Sequence, residues 1–314
     1  MIVEREETSG AIPIQHTMEG WYKLEAVRLD KDGREVSRRV LADWFPNLIT
    51  DFGLNTVGTT ATWLQLCAVG SGSNVPVNAD TALQTLVASK LNTFSSTSGA
   101  QSSAPYYTFR TNVYRFAPAA GSQNLTEIGV GTNATSLFSR ALIVDSGGSP
   151  LTITILVGEI LDATYQFRLR PPTVDATGIV TIAGVNYDFT LRAANVTSVS
   201  VTGWIVIGTP GSLFQHREGG HFTFSGSIGA ITSQPSGAGA QTVTISSAAY
   251  GNNNLYRDST VTFGLAEGNV TGGAKSVLMF FQNAGYQVEF TPAIPKDATK
   301  SMTLTFRQSW ARGP

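Results

Sequence analysis

A single cysteine, three histidines and a charged fraction of only 14% in 314 residues narrow what this chain can do. One cysteine, Cys67, excludes an intramolecular disulfide framework. It lies in the apolar run 63–69 (WLQLCAV) with no histidine near it in sequence, which suits a small buried core residue better than a catalytic thiol. Soluble domains carry about 25% charged residues. Here Gly, Ser and Thr take their place, and such a neutral surface suits burial against neighbours in an assembly, as it also fits a secreted β protein or an adhesin. The net charge of −1 supplies no basic face for nucleic acid. No apolar run approaches the ~20 residues of a membrane span, and the first ten residues, MIVEREETSG, contain no signal-peptide core.

What is present is β patterning. Residues 125–130, 137–144, 151–156 and 164–169 read as short strands separated by Gly, Asn, Asp and Ser turns, with a hairpin signal at residues 145–150 (DSGGSP). Residues 21–29 and 35–43 alternate around Asp32-Gly33 and predict a hairpin, so the mixed-sign run 30–39 reads as its solvated tip. Pro46 and Gly53 allow only a short helix after Trp44, capped by Asn47 or Thr50. Asp80 or Thr81 followed by residues 82–90 (ALQTLVASK) predicts a second short helix. Residues 1–20, with Pro13 and no clear period, read as an extended arm.

Arg170-Pro-Pro-Thr173 marks a change of composition and the expected domain boundary. Beyond it come expected strands at 178–183, 185–193, 196–207, 221–226, 242–246, 259–265, 276–282, 286–290 and 302–310. The expected fold is therefore mostly β. It has two β-sandwich-like domains, residues 21–170 and 173–314, the first with one or two short helices. A seven-residue echo links the halves: YQFRLRP from Tyr165 and YQVEFTP from Tyr286.

The chemistry-bearing residues form no recognisable catalytic set. His216 and His221 flank Glu218, but a five-residue separation in a Gly-containing loop is not a metal-ligand spacing. The carboxylates Glu127, Glu159, Asp162 and Asp188 carry no glycosidase pairing, and no Ser-His-Asp set can be assembled. The Gly-rich loop 70–80 lacks the Lys-Ser/Thr of a phosphate cradle and reads as a surface turn. Arg110 and Arg115 in the aromatic run 106–116 fall on opposite faces of a strand and make no basic stripe. No enzyme, cofactor or metal site is expected. The Asn-, Ser- and Gly-rich loops at 232–241 and 249–255 are the candidate recognition surface, through Gln234, Ser236, Tyr250, Asn252, Asn253 and Asn254.

One segment carries a resemblance. Asn124, Leu125, Thr126, Glu127 and Gly129, then residues 137–142 (LFSRAL), then Glu159, Leu161, Tyr165 and Arg168 follow an order that resembles tailed-bacteriophage tail and baseplate proteins. The order Val69-Gly-Ser-Gly, Pro76, Asp80-Thr, Leu83 extends it to roughly residues 44–170. The resemblance implies a structural virion protein of the baseplate or fibre region, made in the host cytoplasm. Its partners would be other tail proteins and copies of itself, as a trimer or higher. A receptor-binding protein whose second domain meets the host surface is the alternative, and a polysaccharide-degrading enzyme a more distant one.

Overall fold

A computed structural model describes residues 10–59, 62–101, 103–196, 213–242, 244–248, 250–251 and 253–313. The chain is mostly β, in two stacked sandwiches that share one large sheet. That sheet runs β17 (Thr244–Ser247), β18 (Tyr256–Phe263), β21 (Met302–Arg312), β1 (Ala11–Leu29), β12 (Ile160–Arg170), β7 (Tyr107–Arg115) and β6 (Ser95–Gln101), with β2 (Glu35–Pro46) also on β1. The first sandwich is closed by β3 (Leu48–Ile49), β10 (Ser136–Leu142), β9 (Glu127–Asn133), β4 (Leu66–Gly70) and β5 (Leu86–Leu91), with the small pair β8 (Gln123–Leu125) and β11 (Ile153–Ile155). The second is closed by β13 (Ala176–Ile182), β14 (Val185–Ala194), β20 (Gly285–Ile294), β19 (Ala274–Phe281), β15 (His216–Phe224) and β16 (Gly239–Thr242).

The strand β1 joins the two. Its even-numbered residues from Ile12 to Ala26 are all buried, the period-2 pattern of a strand with one core face. Ile12 and Ile14 enter the core of the second sandwich, whereas Met18, Tyr22, Leu24 and Ala26 enter that of the first. Residues 11–18 pair in parallel with β21, and residues 17–27 pair antiparallel with β12. The expected arm is therefore strand from Ala11 onward, and its first nine residues lie outside those described. Pro13, which suggested the arm, sits on a stretch bonded only to β21, where a missing N–H costs nothing. The large sheet also runs past Pro171-Pro172, so strands from both sides of that point hydrogen-bond within one layer.

The helix α1 (Asp51–Thr56) has Thr50 as its cap, with the Thr50 hydroxyl accepting from the Gly53 N–H at 2.9 Å. Gly53 presses against the Phe138 carbonyl, where any side chain would collide. The helix expected over residues 82–90 is absent. Residues 86–91 are strand β5, paired with β4 from Leu66↔Leu91 to Gly70↔Leu86. β4 is buried along its length and needs a partner on each side, so pairing overrides a weak helical preference. Asp80 is engaged by Arg140 instead of capping a helix. The hairpin at residues 30–34 forms as expected, with Gly33 at φ +77°. The strand expected at 196–207 lies, beyond Val196, outside the described residues.

Candidate functional site

The resembling segment holds a buried ion pair. Glu127 on β9 and Arg140 on β10 are 0% and 3% exposed at their side chains, and Arg140 donates to the Glu127 carboxylate at 2.9 and 3.1 Å. The same carboxylate accepts from the backbone N–H groups of Gly72, Gln84 and Thr85 at 2.8–3.1 Å. The loop at residues 70–85 is thus an anion cradle whose anion comes from within the protein. Gly70 and Gly72 approach the carboxylate so closely that a Cβ at either would strike it. Arg140 further holds Asp80 at 2.5 Å and the Asn74 carbonyl at 3.0 Å, while the Gln84 side chain accepts from the N–H groups of Ser73 and Asn74. The arrangement leaves the carboxylate saturated and dry, which suits it to fixing the loop.

The remaining acidic candidates are engaged or apart. Asp162 receives a two-pronged contact from Arg115 and a further one from Arg38. Glu159 is gripped in the same way by Arg39, which holds its carboxyl at about 2 despite opposing desolvation. Asp188 is exposed on β14. Cys67 is fully buried, and burial pushes its thiol well above the ordinary range. Arg115 lies over the Phe94 ring, 4.1 Å from its centroid, so its cation is shared between that ring and Asp162. Among the described residues no three His, Cys, Asp or Glu side chains cluster to hold a metal ion, and no helix is long and apolar enough to cross a membrane.

The candidate recognition loops are held by the fold in different ways. Gln234 and Ser236 are exposed on residues 225–238. That loop is pinned from beneath by Gln287, whose side chain accepts from the Gly229 N–H and donates to the carbonyls of Gly229 and Ala230. Glu289 accepts from the Ile228 N–H and the Ser227 hydroxyl. Tyr250 instead turns inward: its hydroxyl donates to Asn55 of α1 at 2.7 Å and its ring lies 5.5 Å from that of Trp310. The Asn253 N–H reaches the same Asn55 oxygen. Asn254 lies against Gly251, and Asn252 falls outside the described residues. One loop precedes β16 and the other follows β17.

Comparison with protein families, with curated proteins and with solved structures finds no match.

Four strands end sheets without a second partner at two corners of the fold. β5 ends one sheet and β6 ends the other, and they are consecutive in the chain. Asn92, in the left-handed region at φ +64°, turns the corner between them. The second sandwich repeats the device, with β16 ending one sheet and β17 the other. Leu86, Val87, Leu91 and Phe94 are exposed around the first corner. Lys90 is the only charged residue in these four strands. The sequence carried this signal as its shortage of charge, but did not show where the shortage falls. A groove of about 490 Å³ lies elsewhere, between β1, β3 and β10, lined by Trp21, Asn47, Leu48, Ala141 and Arg312 among others.

Proposed function

We propose that the chain is a structural protein of a phage tail, in the baseplate or fibre region, which acts by assembly with copies of itself and with other tail proteins. The observation that carries the assembly reading is the pair of corners where consecutive edge strands are nearly free of charge. Monomeric β proteins blunt such edges with lysine, proline or bulges, because unpaired N–H and C=O groups template pairing with another chain. Apart from Lys90 and one register shift in β5, these edges are left neutral, which suits a protein whose edges are covered in its working state. The resemblance of residues 44–170 to tail and baseplate proteins supplies the location. Light scattering on size-separated protein across a wide concentration range tests the assembly reading. Oligomers that dissociate on placing Lys at Thr97, in the middle of β6, support it. A monomer at every concentration, with or without purified tail particles, overturns it.

A second reading is favoured by the loop at residues 225–238. Its backbone is fixed by Gln287, Glu289 and Arg192 while Gln234 and Ser236 stay exposed, the arrangement of a preorganised polar contact surface. In this reading the second sandwich meets a host surface receptor. Binding to host cells that is lost in Gln234→Ala, with oligomeric state unchanged, supports it.

A further inference from the structure

All three histidines of the chain are buried, and they lie along one file of rings. His221 meets His216 edge-on at 4.6 Å between centroids, and His216 stacks on Phe281 at 4.7 Å. Phe281 contacts Tyr286, Tyr286 contacts His16, and His16 contacts Phe214, which stacks on Trp310 at 4.3 Å. The file crosses from the core of the second sandwich into that of the first, and His16 occupies the crossing on β1 between Ile14 and Met18.

Two features of the geometry favour neutral imidazoles. The Ser309 carbonyl lies 3.1 Å from His16 Nδ1, so Nδ1 carries the proton and donates. His16 Nε2 then accepts from the Tyr286 hydroxyl at 2.5 Å, with the Asn283 amide as a second donor at 3.4 Å. A proton on Nε2 would make the Tyr286 hydroxyl turn to accept and would still face the Asn283 amide. The second feature is the bulge in β15. Between His216↔Phe281 and His221↔Met279 the strand carries four residues against one on β19. An odd spacing that would put the two histidines on opposite faces of a regular strand therefore brings them together. No side chain among those described hydrogen-bonds to any of their four ring nitrogens, and His216 has only the Ser259 backbone beside it.

Among the side chains described around the histidines, no unpaired acid offsets a positive charge. Val277 to Phe281 of β19 contain no titratable group, and Gln308 and Ser309 on β21 are neutral. On β18 the Ser259 backbone lies beside His216 and its hydroxyl donates to the Phe214 carbonyl, whereas its neighbour Asp258 is paired with Arg307. Tyr286 on β20 is a buried neutral phenol, and burial pushes it further from ionising. Arg217 and Glu218 both lie in the bulge itself, and the Glu218 side chain falls outside those described. His16 on β1 is the third histidine of the group.

We propose that the three histidines form an acid-sensitive lock across the seam between the two sandwiches: neutral, they hold β1, β15, β19 and β21 together, and protonated, they release them. Release frees β15 from β19 and residues 11–18 of β1 from β21, while the Glu127–Arg140 part of the first sandwich stays closed. Desolvation lowers His16 and His216 to about 4 and holds His221 well below its ordinary value, so the lock stays shut at neutral pH.

The test is amide hydrogen exchange on the intact chain at pH 7.5 and 5.5, corrected for intrinsic rates, with histidine Cε1–H resonances followed over the same range. The expected result is exchange accelerated roughly tenfold or more in residues 11–18, β15 and β19, reversed on neutralisation, with β9 and β10 unchanged. The folded histidines should show no titration near 6.5. A His216→Phe/His221→Phe variant keeps both rings and removes their titration, and it should shift the transition to lower pH. Should that variant not fold, the measurements on the unaltered chain decide by themselves. Uniform acceleration, no acceleration, or histidines titrating near 6.5 in the folded protein overturns the lock.

Discussion

Arg140 Nη2 lies 2.9 Å from Glu127 Oε2 in the core of the first sandwich, and through this pair two adjacent strands hold a loop that neither of them adjoins in sequence. The carboxylate receives backbone N–H groups from one side of the loop while the guanidinium reaches Asp80 and Asn74 on the other. Removing one partner leaves the other charge buried and unmatched, which costs about 3–5 kcal/mol. Arg140→Met should therefore lower the urea midpoint by that equivalent and open residues 71–85 to proteolysis. Glu127→Gln keeps the shape of the acceptor but turns one oxygen into a donor facing N–H groups. It should be destabilising too, and the double variant should cost less than the sum of the single changes.

Acid should weaken the fold in two separable windows. His16 and His216 have folded values near 4 against an ordinary 6.5, and His221 is lowered as well. Between those limits the unfolded chain binds more protons than the folded one, so stability falls as pH drops through 6.5 toward 4. The slope is about 1.4 kcal/mol per pH unit for each histidine. Glu159, held at about 2 by Arg39, acts lower: its contribution is complete above the ordinary 4.5 and is lost between there and 2. Chemical denaturation at a series of pH values should show the histidine window first, and replacing Arg39 should change only the lower one.

Cutting the chain between Pro171 and Pro172 should not give two folded halves. Residues 172–314 would lose Ile12 and Ile14 from their core and the β1 partner of β21. Circular dichroism and amide dispersion of that fragment should show a poorly ordered chain, and co-expression with residues 1–171 should restore the native spectrum.

A charge on a neutral edge should act on association and not on folding. Thr97→Lys in β6 places an ammonium on an exposed position. Surface changes of this kind typically alter stability by within ~0.5 kcal/mol. Thermal unfolding should be unmoved while the light-scattering mass falls. A matching Gln241→Lys in β16 tests whether the second corner contributes to the same contact.

Tyr250 should prove to be an anchor for its loop. Tyr250→Phe removes one hydrogen bond to Asn55 and should lower stability by roughly 1 kcal/mol. Tyr250→Ala also removes the ring beside Trp310 and should cost more.

The strands were readable because their period is local. Tyr22, Leu24 and Ala26 alternate with Trp21, Lys23 and Glu25, and the pattern holds whichever neighbour β1 acquires. What could not be read is what depends on that neighbour. Residues 86–91 became strand because buried β4 required a second partner, a demand absent from their own composition. Glu127 stood among several equivalent acids until Arg140 and the Gly72 amide were brought to it from distant positions. The closeness of His216 and His221 depends on a bulge whose register is set by β19. Proline marked a loss of hydrogen-bond donors correctly at Pro13, yet at an open edge that loss is harmless.

The pairing of residues 11–18 with residues 305–312 also imposes an order on synthesis. At ~5–20 residues per second, Ile12 leaves the ribosome roughly 15–60 s before Phe306 exists to meet it. For that interval half the apolar face of β1 has no partner, while its other half can already settle against β2 and then β12. The first sandwich can therefore mature during translation with a sticky strand end protruding from it. That end is a natural client for a chaperone, and a point where two nascent chains on one message could capture each other's strands.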